Sequence, residues 1–291
     1  MSSIEIKNLD YPSASSIEYI DGKLFLMGDD ATYLLVLDTS LNIIDSIPLL
    51  SYPGKRIPKE TKPDLEASAV DTENLFLLGS GSLSPYRNLG WKYNFQTKDT
   101  VPVNLEPLYS KAKDSGIEQI NIEGACFVSG KLILVNRGNK GYPYNHLIIT
   151  NEQFWADSIL QISVAEFKTD HDDISSFRGI SGLCYAKEND KLIMTVSTED
   201  TRNSYDDGAI GKSYLWIVNS ISTKLNNKII KRNRLIDLEY IDPRFKGQKI
   251  ESATVIGETN ELIHLVMVAD NDDGSSTVFK MSIRKTTSLV E

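Results

Sequence analysis

Residues 123–135 read Glu123-Gly-Ala-Cys-Phe-Val-Ser-Gly-Lys-Leu-Ile-Leu-Val135, a pair of short apolar strands joined by a tight turn. Related segments recur along the chain, each opening with Glu or Ser, and they begin at Ser15, Glu66, Ser181 and Glu251. Successive copies start 51, 57, 58 and 70 residues apart. That period lies slightly above the roughly 40 to 50 residues of propeller blades with short loops. The spacing therefore indicates a β-propeller whose four-stranded blades carry long loops.

The number of repeats predicts the architecture. The strands of the first blade are expected near residues 15–20, 23–27, 32–38 and 42–49, and the next three blades follow the same plan. The last blade has only three strands after Glu251. Residues 4–9 can supply the fourth, so that the chain ends pair and close the ring without exposed sheet edges. We predict an all-β fold, a five-bladed β-propeller with four-stranded antiparallel blades, as a single domain over residues 1–291.

Two segments depart from this plan. Residues 104–115 have the pattern of one short helix, and the Lys/Asn-rich residues 224–233 are expected to form a solvated excursion. Neither carries recognisable chemistry.

Composition excludes several classes of protein. The net charge of -9 argues against a nucleic-acid binder, which needs a basic face, and suits a protein that holds cations. No stretch approaches the roughly 18 apolar residues of a membrane span, and the first residues lack the pattern of a signal peptide. We expect a cytoplasmic protein without membrane or nucleic-acid partners, and a monomer.

Cys126 and Cys184 occupy the same place in the third and fourth repeats, inside apolar strands. This position predicts buried, reduced thiols, with a disulfide between neighbouring blades as the alternative.

The first residues of the repeats are candidates for a metal site. All of them start innermost strands, so they should form a ring around one mouth of the central channel, and they are Ser15, Glu66, Glu123, Ser181 and Glu251. Inward-facing carboxylates repel one another unless they are paired or bound to a metal. Oxygen-only ligands in a roomy ring favour Ca²⁺ over zinc or magnesium. The alternative is that these side chains cap strand ends, or bind water and nearby arginines.

The loops that follow the second strands should crowd the same face. They bring Arg87 and Arg137 toward the mouth, and Arg178 reaches it from the loop before Ser181. Arginine offers a planar fork of donors suited to phosphate or carboxylate. Ser80, Ser82 and Asn139 lie in the same loops, so a pocket for a small anion, such as a phosphate-containing one, is predicted beside the cation. The alternative is that each arginine pairs with a local Asp or Glu.

Three features resemble the five-bladed calcium-activated nucleotidases, or apyrases. They are the ring of first residues, the segment Ile122-Glu-Gly-Ala-Cys-Phe127 and the segment Lys191-Leu-Ile-Met-Thr-Val-Ser-Thr-Glu-Asp200. The chain looks closer still to an uncharacterised family of bacterial phytase-like propellers, through Lys62-Pro-Asp-Leu-Glu66, Asn136-Arg-Gly-Asn139 and Tyr205-Asp-Asp-Gly208. The resemblance to the nucleotidases implies a central calcium surrounded by the Ser and Glu positions, with nucleoside diphosphates hydrolysed at that mouth. It covers the five inner strands, whereas the likeness to the bacterial family covers nearly the whole chain.

Two functions remain open from the sequence. The first is a calcium-dependent hydrolase of phosphate esters or anhydrides, with Glu199 or Asp200 as the general base that orients water. The second is a non-catalytic propeller with a structural cation, whose loops bind a small anion, a sugar or a protein partner. A lactonase or esterase that uses calcium to polarise a carbonyl is a third reading. No familiar nucleophile motif is present to decide among them.

Overall fold

The computed structural model describes residues 4–155, 160–168, 177–199, 210–270 and 274–285. In these residues the chain forms five antiparallel sheets arranged as the blades of a propeller. Blade I contains β2 (Ala14–Ile20), β3 (Lys23–Gly28), β4 (Tyr33–Asp38) and β5 (Ile43–Pro48). Blade II contains β6 (Leu65–Val70), β7 (Asn74–Gly79), β8 (Leu89–Asn94) and β9 (Thr100–Asn104). The predicted strands of the first blade are confirmed to within two residues.

The other three blades follow the same order from the channel outward. Blade III contains β10 (Ile122–Val128), β11 (Lys131–Asn136), β12 (Asn145–Asn151) and β13 (Ile162–Lys168). Blade IV contains β14 (Arg178–Ala186), β15 (Lys191–Glu199), β16 (Ile210–Asn219) and β18 (Arg234–Asp237). Blade V contains β19 (Lys249–Glu258), β20 (Leu262–Asp270), β21 (Ser276–Arg284) and β1 (Glu5–Leu9).

The chain ends close the ring as predicted. Strand β1 pairs antiparallel with β21, with Glu5 opposite Lys280 and Leu9 opposite Ser276. The innermost strands β2, β6, β10, β14 and β19 contact one another in that order and back to β2. Apolar side chains fill the spaces between blades. For example, Leu side chains of β3 in blade I and Val side chains of β20 in blade V share one buried cluster. The five-bladed propeller is therefore confirmed.

A β-bulge marks the beginning of every innermost strand. The register shifts around one unpaired residue in each case, and these residues are Ser15, Glu66, Glu123, Ser181 and Glu251. A bulge bends its strand and re-aims the extra side chain. The five repeat headers are thus structurally equivalent, and they surround the end of the channel called the mouth below.

Helix α1 (Glu106–Asp114) lies within the predicted helical segment. Asn104 accepts a hydrogen bond from the backbone N–H of Glu106, which satisfies one of the free donors of the first turn. Its buried face carries Leu108, Tyr109 and Ala112. The Tyr109 hydroxyl donates to the backbone carbonyl of Gly79, so the helix supports the loop between β7 and β8.

The excursion at residues 224–233 differs from the prediction. Its centre forms β17 (Ile229–Lys231), which pairs parallel with β13 and adds a fifth strand to blade III. Ile230 is fully buried there against the apolar cluster that fills the space between blades III and IV. Because most side chains of this polar stretch are not buried, its composition did not reveal the strand.

Two further expectations concern the thiols and the membrane. Cys126 and Cys184 are buried and free, as predicted. In the described part of the chain, no helix has both the length and the apolar character needed to cross a bilayer.

Candidate functional site

Three carboxylates meet on one side of the mouth. Asp29 follows β3, Asp64 lies just before β6, and Glu66 is the bulge residue of β6. One ligand oxygen from each lies within 4.8 Å of the other two. This group, called the acidic centre below, joins blade I to blade II.

The backbone holds the acidic centre in place. The carbonyl of Asp29 accepts a hydrogen bond from the N–H of Leu65, and the carbonyl of Asp64 accepts one from the N–H of Ser80. Asp64 has a φ of 54°, in the left-handed region that Asp tolerates better than most residues. Loops from two blades are thereby fixed against each other around the three carboxylates.

Lys62 lies inside the acidic centre. Its Nζ contacts Asp29 Oδ2 and lies 2.7 Å from Asp64 Oδ1, with only 11% of the side chain exposed. Burial alone would lower the pKa of this ammonium, but Asp29, Asp64 and Glu66 outweigh it and raise the pKa above its ordinary value. Lys62 is therefore charged and neutralises part of the centre.

Two oxygen sites of the acidic centre lack partners. Asp29 Oδ1 is buried without a hydrogen-bond donor, and the Glu66 carboxylate has no hydrogen bond or ion pair with any described residue. Burial, with the charges of Asp64, Asp29 and Glu123, raises the pKa of Glu66 well above its ordinary range. A negative charge on Glu66 is therefore costly unless a further cation lies beside it. Buried polar atoms normally have partners, so these oxygens mark a place for a ligand.

The other four repeat headers lie at the mouth and have hydrogen-bond or ion-pair partners of their own. Ser15 Oγ donates to the carbonyls of Met27, at 3.1 Å, and Leu65, while Ser181 Oγ donates to the carbonyl of Ile250 at 2.7 Å. Both hydroxyls are thus used as bridges to the strand of the next blade. Of the five headers, only Glu66 belongs to the acidic centre, and its partners Asp29 and Asp64 were not predicted.

The two remaining acidic headers are already paired. Glu123 accepts hydrogen bonds from Asn121 Nδ2 at 2.7 Å and from Arg137 at 3.3 Å. Glu251 forms an ion pair with Lys249 at 2.8 Å. A shared calcium cage formed by all five headers stays a prediction.

The arginines do reach the mouth, but carboxylates engage two of them. Arg87 Nη1 donates to Asp64 Oδ2 at 2.7 Å, and its side chain is 3% exposed. Arg137 connects blade III to blade IV, because it donates both to Glu123 and to Ser197 Oγ at 3.0 Å. Arg178 stacks on the ring of Tyr214, with 4.6 Å between the guanidinium carbon and the ring centre. The local-pairing alternative therefore describes Arg87 and Arg137.

The predicted polar loop residues serve their own loops. Ser80 Oγ donates to Asp64, and Ser82 Oγ accepts from Arg87 Nη1 at 2.7 Å. Asn139 donates to Gln119 Oε1 at 3.1 Å and caps the turn to Tyr142. Ser80 and Ser82 thus surround Asp64 together with Arg87, and Asn139 stands apart from them in blade III.

Asp200 lies outside the described residues, as does the side chain of Glu199. Strand β15 ends at Glu199, two residues beyond Ser197, the partner of Arg137. The backbone at Glu199 therefore lies near the mouth.

Sequence reasoning missed the residues that complete the acidic centre. Asp29 belongs to the polar loop Gly28-Asp-Asp30, and Lys62 and Asp64 belong to the segment Lys62-Pro-Asp-Leu-Glu66. A cluster of Lys, Asp and Glu within five residues directly before an inner strand was the available signal.

The acidic centre carries one negative charge more than the described basic side chains paired with it supply. Its three carboxylates are Asp29, Asp64 and Glu66. The two basic side chains paired with them are Lys62 and Arg87. Glu66 accounts for the difference.

Comparison with known proteins supports the fold and assigns the family. The glutaminyl cyclase of Myxococcus xanthus has a similar structure, with a TM-score of 0.54, 12% identity and 98% of each chain covered. Virginiamycin B lyase from Staphylococcus aureus matches over 96% of this chain and 100% of its own, with a TM-score of 0.44 and 10% identity. At 12% identity the likeness to the glutaminyl cyclase concerns the fold alone. No protein of curated function matches the chain. Residues 10–283 match the model of a family of unknown function, DUF6929, and the chain therefore belongs to that family.

Proposed function

We propose that this protein binds Ca²⁺ at the acidic centre and that the loaded mouth binds a small phosphate-containing anion. The observation that carries the proposal is the buried Asp29 Oδ1, which has no hydrogen-bond donor, beside a Glu66 carboxylate to which no described residue donates. A buried carboxylate oxygen without a donor is costly unless a proton or a cation compensates it. A bound cation supplies that compensation for both residues at once.

The chemistry of the donors selects the cation. The centre offers oxygen and neither nitrogen nor sulfur ligands, which favours a hard ion over zinc. Ca²⁺ accepts irregular sets of carboxylates, backbone carbonyls and water, whereas Mg²⁺ demands a near-ideal octahedron. Two carboxylates from loops and one from a bulge form an irregular set, so we assign Ca²⁺.

The charge balance supports the anion. With one excess negative charge at rest, the acidic centre together with Lys62 and Arg87 becomes positive by one unit when a divalent cation binds. Arg87 and Arg137 are occupied by Asp64 and Glu123, so the cation itself provides the attraction for phosphate.

Hydrolysis of phosphate esters or anhydrides is the second candidate, and the resemblance to phytase-like proteins and nucleotidases stays a prediction. The position of Glu199, two residues beyond Ser197 at the mouth, favours this candidate. In this reading the cation would offset negative charge on a phosphate oxygen, and Glu199 or Asp200 would orient the attacking water.

Calcium titration tests the first step. Isothermal titration of the EDTA-treated protein should show one Ca²⁺ per chain with weaker binding of Mg²⁺, and Ca²⁺ should raise the melting temperature by mass action. Glu66→Gln should weaken Ca²⁺ by about tenfold or more, because a charged ligand is lost. The control Glu261→Gln, exposed on a hairpin, should bind as the unaltered protein does. No binding heat and no change in melting temperature would refute the cation site.

Phosphate and turnover test the second step. Inorganic phosphate should bind the calcium-loaded protein and not the EDTA-treated one. Nucleoside diphosphates and p-nitrophenyl phosphate, assayed with and without Ca²⁺, then separate the candidates. Calcium-dependent turnover that Glu199→Gln abolishes establishes the hydrolase, whereas phosphate binding without turnover establishes the binding module.

A further inference from the structure

Lys62 is an internal cation within the acidic centre. Its backbone is fixed, since the N–H of Lys62 donates to the carbonyl of Pro58 at 2.9 Å and Pro63 follows it. The side chain reaches Asp29 Oδ2 and Asp64 Oδ1 and is largely buried. A buried ammonium held by two carboxylates has little freedom to leave.

Lys62 divides the oxygens of the centre into two sets. It occupies Asp29 Oδ2 and Asp64 Oδ1, and Arg87 with Ser80 occupies Asp64 Oδ2. Asp29 Oδ1 and the Glu66 carboxylate form the open set. A cation that binds the open set can therefore do so while Lys62 keeps its contacts.

We propose that Lys62 is the specificity-determining residue that sets the charge of the loaded centre and so makes it accept an anion. This inference rests on the function proposed above. With Lys62 present, one divalent cation converts the acidic centre and its paired basic groups from one net negative charge to one net positive charge. Without Lys62, the same cation leaves this group neutral, and the attraction for phosphate is lost.

The inference requires two effects of opposite sign. Lys62→Met removes a positive charge next to the cation, so Ca²⁺ affinity should rise about tenfold. For the same reason, phosphate affinity of the calcium-saturated protein should fall by about tenfold or more. A purely structural role for Lys62 would lower both affinities, because Asp29 and Asp64 would lose their alignment.

Matched variants give the controls. Lys62→Arg keeps the charge and should retain phosphate binding in the calcium-saturated protein, and it keeps the test falsifiable if Lys62→Met does not fold. Lys55→Met removes an exposed lysine from the connection between β5 and β6, which also contains Lys62. Lys55 pairs with Asp10, so its loss should change neither affinity. Lys249→Met removes the lysine beside Glu251 and should raise Ca²⁺ affinity less than Lys62→Met. Thermal unfolding in EDTA verifies that each variant is folded.

The outcomes are distinct. Tighter Ca²⁺ with weaker phosphate in Lys62→Met supports the inference. Unchanged or weaker Ca²⁺ in that variant, or loss of phosphate binding in Lys62→Arg, overturns the charge role while the cation site stands. If the unaltered protein binds no Ca²⁺, the proposed function fails and this inference fails with it.

Discussion

At the scale of the residue, Glu18 is a second carboxyl that the fold largely removes from water. It lies three residues beyond Ser15 on β2 and accepts a hydrogen bond from Ser68 Oγ at 3.0 Å. Burial raises its pKa to about 8, and the hydrogen bond from Ser68 opposes that rise only in part. Near neutral pH the folded protein therefore holds a proton that the unfolded chain releases.

This proton makes stability depend on pH. Between an unfolded pKa of 4.5 and a folded pKa of about 8 the native state binds more protons, so the free energy of unfolding should fall as pH rises through that window. Glu18→Gln removes this contribution, whose limiting slope is about 1.4 kcal/mol per pH unit. Urea unfolding of both proteins at several pH values between about 5 and 8 measures the difference in slope. Parallel pH profiles would contradict the assignment.

At the scale of the element, the bulge of each inner strand organises the mouth. Ser15 donates to the carbonyl of Leu65, which directly precedes Glu66, and Ser181 donates to the carbonyl of Ile250, which directly precedes Glu251. Each serine header thus fixes the backbone from which the acidic header of the following blade in the ring projects. Gly179 leaves room for Arg137 at the mouth, because a Cβ at position 179 would lie 2.2 Å from Arg137 Nε.

Two matched serine variants separate alignment from stability. Ser15→Ala and Ser181→Ala should each lower the free energy of unfolding by about 1–2 kcal/mol, because a buried carbonyl loses its donor. Only Ser15→Ala should also weaken Ca²⁺, since only Glu66 belongs to the acidic centre. Chemical denaturation and calcium titration measure the two effects. Equal losses of Ca²⁺ affinity in both variants would show that the serines act on the mouth as a whole.

At the scale of the whole molecule, the ring is closed by few residues. Strand β1 covers the free edge of β21 over five residue pairs, and Ser276 Oγ donates to the carbonyl of Tyr11 at 2.8 Å. An uncovered strand edge exposes unsatisfied backbone donors and acceptors, which favours association between molecules. Closure therefore contributes to both stability and solubility.

Removal of residues 4–9 tests the closure. The shortened protein should lose cooperative thermal unfolding or aggregate, because the sheet of blade V loses a strand and the ring opens. Asn8→Ala is the control, since it deletes only the side-chain contact with Thr277 at 3.1 Å and leaves the strand. Circular dichroism and light scattering during heating compare them. A shortened protein that melts as the intact one does would show that β1 is dispensable.

The sequence by itself determined the number of blades, the closure of the ring and the position of the headers. Alternation along a strand and the spacing of repeats are local properties, so they can be read without knowing which segments meet. The strands of blade I and helix α1 followed from the same local patterns. The pairing of β17 with β13 did not, because its polar flanks conceal a single buried Ile230.

Only the tertiary structure decided which polar residues form the site. Asp29 and Asp64 lie in loops of different blades, and they meet because the backbone of Asp29 binds that of Leu65. Whether a carboxylate is open or paired depends on which side chains meet in space, as the ion pair between Glu123 on β10 and Arg137 after β11 illustrates. Electrostatic energy depends on separation in space and on burial, and repeat spacing specifies neither for side chains in loops.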